Sequence, residues 1–225
     1  MALDRIHLRK LLKILFLSPG ARRTAIRADI REEIAKGKAK ASGEPLAGGD
    51  FYAPFWSDAK DHVFALADLR DMVEVRIAAN GRRANLYRRL RDGFLLWWNK
   101  RRRWTNEPFR PGQLLKTHFV FPGLKAIVKI DNILSVRDGV GVEHVVYPYF
   151  APDPVLSEEA ARLGLWLLSK ALPEVSQEEI RILDVLRGRT FSLDRTPLRG
   201  NEEAEFHQRY AAALLERERL RSEYD

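Results

Sequence analysis

The sequence predicts an α+β (α/β) chain in which a basic, mainly helical region, 1–112, packs on a small mixed β-sheet region, 113–225, that ends in a closing helix. The two regions are expected to form one compact domain. Three observations point there. Apolar residues recur at helical spacing through the first half, short β-branched runs separated by Gly and Pro turns begin after residue 115, and a helical run and a further strand-like run follow them. Charge divides at the same place: residues 1–112 carry 24 Lys/Arg against 13 Asp/Glu, and residues 113–225 carry 15 against 18.

In the opening segment, Leu3, Ile6, Leu11, Ile14 and Leu15 follow helical spacing with Arg5, Arg9, Lys10 and Lys13 between them. Lys13 interrupts the apolar stretch that a secretory signal needs, so an amphipathic helix docked on its own domain is expected. After Ser18-Pro19-Gly20, residues 21–41 read as a second helix with a narrow stripe of Ile26, Ile30 and Ile34. Gly and Pro make 42–54 a loop. Its aromatics, with Phe51, Tyr52, Phe55 and Trp56 in a cluster, are expected to plug the end of a core. A helix near 57–80 follows. Over 82–104 (RRANLYRRLRDGFLLWWNKRRRW), Leu86, Leu90, Phe94 and Trp97 define the buried stripe of another helix.

Residues 116–121 (KTHFVF) and 125–136 (KAIVKIDNILSV) read as two strands, Arg137-Asp138-Gly139 as a hairpin, and 142–150 as a third strand. Ser157 opens a helix over 158–171, with Glu158 and Glu159 favourably placed at its positive end. Residues 180–193 form a strand or hairpin turning at Gly188, and 201–222 a closing amphipathic helix.

Several function classes drop out. Cysteine is absent, which excludes disulfides, thiolate zinc sites, thiol catalysis and cysteine-bound iron–sulfur clusters. No run of eighteen apolar residues exists, so no transmembrane segment is expected and the cytoplasm is the expected location. No phosphate-binding glycine loop and no nucleophile elbow occurs. The histidines, at 7, 62, 118, 144 and 207, show no short-range metal spacing; His118 and His144 fall on strands that could neighbour each other, where a lone histidine is more often a packed polar residue.

Two features carry chemistry. In the 82–104 segment, Arg82, Arg83, Arg88, Arg89, Arg91, Lys100, Arg101, Arg102 and Arg103, with Trp98 and Trp104 among them, exceed what helix capping needs. Cations grip phosphates and aromatic faces stack on bases, so these eleven residues are the candidate nucleic-acid-binding face. The second feature is Val128-Lys129-Ile130-Asp131-Asn132-Ile133, followed by the Asp138-Gly139 hairpin, with Leu193-Asp194-Arg195 closing the late strand. Together with the element order, these stretches resemble the PD-(D/E)XK nuclease superfamily, in particular its RecB-type exonuclease branch, over roughly 114–220.

The resemblance implies a restriction-endonuclease-like αβββαβ core. It also implies one or two divalent metals, Mg²⁺ or Mn²⁺, held by carboxylates beside a lysine that assists the attacking water. Asp131 is then the expected first metal ligand. The third-strand motif departs from the pattern, because Val146-Tyr147-Pro148 stands where Asp-Tyr-Lys is expected. Valine binds no metal and proline supplies no amine. A rebuilt catalytic set would have to draw on Asp131, Lys129 and Glu143. Lys129 shares the strand face of Asp131, whereas Glu143 lies an odd number of positions from Val146 and so on the other face.

The expected function is therefore a catalytically degenerate nuclease-fold protein that binds nucleic acid, or supports a nucleic-acid-processing or defence complex, with no certain cofactor. Two alternatives stand beside it. One is an active Mg²⁺- or Mn²⁺-dependent nuclease with relocated residues; the other is a protein-interaction module with no nucleic-acid role.

Overall fold

Strand β1 (Arg5–His7) runs directly into helix α1 (Leu8–Phe16), and α2 (Pro19–Ser42), α3 (Ala53–Val63), α4 (Leu69–Ala79) and α5 (Ala84–Leu96) complete the first half. The computed structural model describes residues 3–43 and 50–224, so 44–49 of the expected loop lie outside the described residues. In the second half come β2 (Arg110–Pro111), β3 (Thr117–Phe121), β4 (Ala126–Ile130), β5 (Leu134–Arg137) and β6 (Glu143–Tyr149). Helix α6 (Glu158–Ala171), strands β7 (Ile180–Asp184) and β8 (Arg189–Ser192), and helix α7 (Glu202–Arg221) follow. No helix among the described residues is long and apolar enough to cross a membrane.

The expected mixed α+β class is observed, with three local corrections. The opening segment is not one helix. Ile6 is fully buried between the outward Arg5 and His7, because β1 pairs in parallel with β4 through Arg5↔Ile127 and His7↔Lys129. That pairing joins residues about 120 positions apart and leaves no trace in local helical spacing. The expected helix near 57–80 is two helices, broken where Ala65 takes φ 55° and Asp68 caps α4 through Arg70 N. The expected strand 125–136 is also two. Asn132 takes φ 59° between β4 and β5, a conformation that asparagine tolerates better than most residues.

This bend divides the strands into two sheets, one ordered β1-β4-β3 and one ordered β2-β5-β6-β7-β8. Strands β6 and β7 are parallel neighbours joined through α6, and the other pairings of the larger sheet are antiparallel. Successive residues of β6 alternate between two cores. Val145, Tyr147 and Tyr149 meet α1, α2, α6 and α7, and Val146 and Phe150 meet α3, α4 and α5. Helices thus cover both faces of the larger sheet. Both cores draw on residues from either side of position 112. The expected aromatic plug is there, with Phe55 and Trp56 fully buried and Tyr52 stacked on Phe150 at 4.8 Å.

Helix α5 touches the β7–β8 turn so closely that only glycine fits. A Cβ on Gly93 would lie 2.1 Å from Val185 O and 2.6 Å from Leu186 O, and one on Gly188, which has φ 55°, would lie 2.5 Å from Gly93 O. Both obstructions are backbone and cannot swing aside. Gly93→Ala is accordingly expected to destabilise the fold by about 2–3 kcal/mol. Gly37→Ala, on α2 with nothing within 4 Å, is expected to stabilise it by about 0.5–1 kcal/mol. Denaturant midpoints of the two variants measure both.

Candidate anion-binding cleft at Asp131

The three-stranded sheet has one closed and one open face, as strand alternation requires. Ile6, Phe121, Ala126, Val128 and Ile130 point into the first core. On the open face, Lys129 of β4 stands directly between His7 of β1 and His118 of β3, its register partners on the two sides. Arg5, His7, Lys116, Thr117, His118, Ile127, Lys129 and Asp131 line a cleft of about 430 Å³ there. The side chains of Arg5, Lys116, His118 and Lys129 have no ion-pair or hydrogen-bond partner among the described residues.

Asp131 follows the last residue of β4 and is the lone carboxylate among those lining residues. Its Oδ1 lies 2.9 Å from His7 Nδ1 and 3.3 Å from Arg9 Nη1, and accepts a 3.2 Å hydrogen bond from Asn132 Nδ2. Arg9 also pairs with Asp50, and its backbone N–H donates to the Tyr147 hydroxyl at 3.0 Å. The Trp56 indole N–H donates to the Asn132 carbonyl and anchors the bend. Burial acts to raise the Asp131 pKa, but His7 and Arg9 outweigh it and hold the carboxyl below its usual range. Burial pushes the Tyr147 hydroxyl up to about 12, against the opposing pull of Arg9. It pushes the Lys60 ammonium down, with Asp61 and Asp131 opposing.

The structure brings Asp131 and Lys129 into one cleft but leaves Glu143 elsewhere. Glu143 faces Arg137 across the β5–β6 ladder, at the end away from the Leu134↔Val146 pair that follows the bend. Its Oε1 accepts from Gln113 N at 2.7 Å and from the Ser135 hydroxyl. Tyr147 and Tyr149, rather than Val146 and Pro148, project into the first core with Val128 and Ile130. A divalent metal wants several oxygen ligands, yet Asp131 is flanked by a histidine and an arginine. No group of three or more His, Asp or Glu gathered as metal ligands occurs among the described residues. These residues do not fit the metal centre that the resemblance implies.

The arginine-rich segment is mostly committed internally. Helix α5 widens into a π-turn over Trp97–Arg101, closed by Arg102 N–H donating to Trp97 O at 2.8 Å. The extra residue in that turn directs both Trp97 and Trp98 inward, where helical spacing alone places only Trp97. Trp98 and Trp104 are buried; Arg102 lies over Trp98, and Trp104 stacks on His144. Neither indole offers a free face for base stacking. Arg88 and Arg91 pair with Glu74, Arg103 with Asp194, Arg101 donates to the Arg187 and Gly188 carbonyls, and Arg83 lies over Tyr87. Arg82, Arg89 and Lys100 remain exposed, with no ionic partner among the described residues.

His118 and His144 do not approach as neighbours, because β3 and β6 belong to different sheets. His144 instead lies between Asp138 and Glu179, with Nε2 3.3 Å from Asp138 Oδ2. Asp138 also closes its hairpin by accepting from Val140 N and Val142 N. Sequence reasoning missed His7 and Arg9. The available signal was the Arg5-Ile6-His7 alternation, three residues long and overlain by helical spacing.

No family model, characterised protein or solved structure matches the chain.

A depressed carboxylate pKa adds stability that is complete above the unfolded value, about 3.9, and is lost as pH falls through the lower folded value. Asp131→Asn is therefore expected to cost roughly 1 kcal/mol near neutral pH, allowing for partial exposure. That difference should shrink toward zero as pH falls through the lowered carboxyl value. Urea unfolding of parent and variant across that range checks the direction.

Proposed function

We propose that this chain is a cytoplasmic nucleic-acid-binding protein built on a nuclease-like αβββαβ core, in which a basic cleft occupies the position of a metal-dependent reaction centre. The observation that carries the reading is the open sheet face. Arg5, Lys116 and Lys129 line it without ionic partners among the described residues, and its one lining carboxylate is offset by His7 and Arg9. Unpaired cations converging on one cleft attract phosphate, because neutralising the polyanion releases its counterions.

The element order supports the core assignment. Strands β3, β4 with β5, and β6 are followed by α6 and then by β7 parallel to β6, the succession that an αβββαβ nuclease core requires. The chemistry of β6 supports catalytic degeneracy. Where the resemblance places a metal-binding carboxylate and a catalytic lysine, β6 carries Val146 and Pro148, both buried. Arg82, Arg89 and Lys100 extend the proposed contact with a polyanion beyond the cleft. Support of a nucleic-acid-processing or defence complex is compatible with this role.

Fluorescence anisotropy with single- and double-stranded oligonucleotides, in EDTA and at rising KCl, tests the reading. The three cleft cations contribute about −2 to the log–log salt slope for single strands. The double variant Arg5→Ala/Lys129→Ala is expected to reduce that slope by about 1.4. Asp131→Asn removes the opposing charge and is expected to tighten binding roughly 2–5-fold, consistent with about 1 kcal/mol or less for one partly screened charge. With Mg²⁺ in place of EDTA, a metal-ligand role for Asp131 predicts weaker binding of the variant instead. Salt-insensitive binding, or none, would overturn the proposal.

A further inference from the structure

The row His7–Lys129–His118 does more than attract an anion. Register partners on adjacent strands share a sheet face, and strands lie about 4.8 Å apart. The two histidine Cα atoms are therefore about 10 Å apart, on either side of Lys129. All three side chains line the cleft of about 430 Å³, a volume in the range of small-ligand sites. His7 presents Nδ1 to Asp131 at 2.9 Å, which leaves Nε2 as the nitrogen free for proton transfer. His118 is exposed, its side chain without a hydrogen-bond or ion-pair partner among the described residues.

We propose that this row is a metal-independent ribonuclease site, with His7 as general base, His118 as general acid and Lys129 as the cation that holds the reacting phosphate of single-stranded RNA. The proposal rests on the nucleic-acid-binding reading above and adds a reaction to it. A neutral His7 that carries its proton on Nδ1, beside the Asp131 carboxylate, offers a lone pair at Nε2, and the nearby carboxylate stabilises the imidazolium that forms. His7 removes the proton of a ribose 2′-hydroxyl, and that oxygen attacks the adjacent phosphorus. The O2′–P bond forms as the P–O5′ bond breaks, and protonated His118 gives its proton to the departing O5′. The products are a 2′,3′-cyclic phosphate and a 5′-hydroxyl, with no oxidant, reductant or metal consumed. Lys129, standing between the two imidazoles, neutralises the charge that builds on the phosphoryl oxygens. Because the attacking group is the 2′-hydroxyl, DNA is not a substrate. Asp131, which acts through His7, is a positioning residue.

The test uses the full chain in excess EDTA and a labelled DNA oligonucleotide containing one ribonucleotide. Binding is measured separately on the same sequence with that position 2′-O-methylated and therefore uncleavable. The expected result is scission at the ribonucleotide alone, with the 2′,3′-cyclic phosphate identified by its mass. His118→Ala, at an exposed position, is expected to lower the cleavage rate at least about 100-fold while leaving affinity for the methylated strand within a few-fold. Lys129→Ala is expected to lower both rate and affinity. Asp131→Asn is expected to lower the rate while binding is retained or tightened, a split that loss of fold would not produce.

Absence of cleavage with binding intact overturns the ribonuclease proposal and leaves the binding function standing. Scission that survives His118→Ala, or that proceeds equally on all-DNA strands, also overturns it. Failure of the wild-type chain to bind the methylated strand overturns both readings.

Discussion

Burial of strand β6 on both faces is the constraint from which the rest of the fold follows. One row, Val145, Tyr147 and Tyr149, lies under α1, α2, α6 and α7; the other, Val146 and Phe150, lies under α3, α4 and α5. A strand sealed in this way cannot carry an unpaired charge, since removing a carboxylate or ammonium from water costs several kcal/mol unless a partner compensates. Its two tyrosines illustrate the accommodation: the Tyr147 hydroxyl accepts from Arg9 N, and the Tyr149 hydroxyl donates to the Pro154 carbonyl at 2.8 Å. Polar chemistry is displaced to the neighbouring sheet, where no helix among the described residues closes the face bearing Lys129.

The bend at Asn132 makes that displacement possible. A straight strand from Ala126 to Arg137 would keep one alternation throughout and continue a single sheet. The left-handed residue changes the phase, so that Ile130 and Ile133 both face the first core while Leu134 and Val136 face the second. Asp131 emerges at the break, held by His7, Arg9 and the Asn132 amide. Its electrostatics follow from this placement, because the contacts from His7 and Arg9 outweigh the penalty of burial.

The charge asymmetry along the chain is partly spent inside the molecule. Arg22 reaches Glu216, Arg27 reaches Glu223 and Arg217 reaches Glu33, so the long helices α2 and α7 are laced together by ion pairs between the basic and acidic halves. Each such pair contributes little alone, about 0.2–1 kcal/mol when solvent-exposed. Collectively they orient α2, whose buried stripe is only Ile26 and Ile30. Pairing within the basic half offsets the charge of Arg88 and Arg91 at Glu74, and pairing across the halves that of Arg103 at Asp194.

The sequence by itself determined what depends on neighbours a few positions apart. Helix α6 begins at its Ser157 cap, with Ser157 Oγ accepting from Ala160 N, and α7 and the β7–β8 hairpin lie where periodicity and Gly188 place them. The aromatic cluster at 51–56 and the shared strand face of Lys129 and Asp131 were legible for the same reason. Only the tertiary structure decided what depends on distant partners. Parallel pairing with β4 makes Arg5–His7 a strand, the π-turn buries Trp98, and Tyr147 rather than Val146 lies on the first-core side of β6. The His7–Lys129–His118 row is the sharpest case. Its three members are separated by 122 and 11 positions in the chain and become neighbours only when β1 and β3 add to the two edges of β4. Local spacing carries no information about such an alignment, because strand pairing is a choice among long-range alternatives that burial, rather than propensity, resolves.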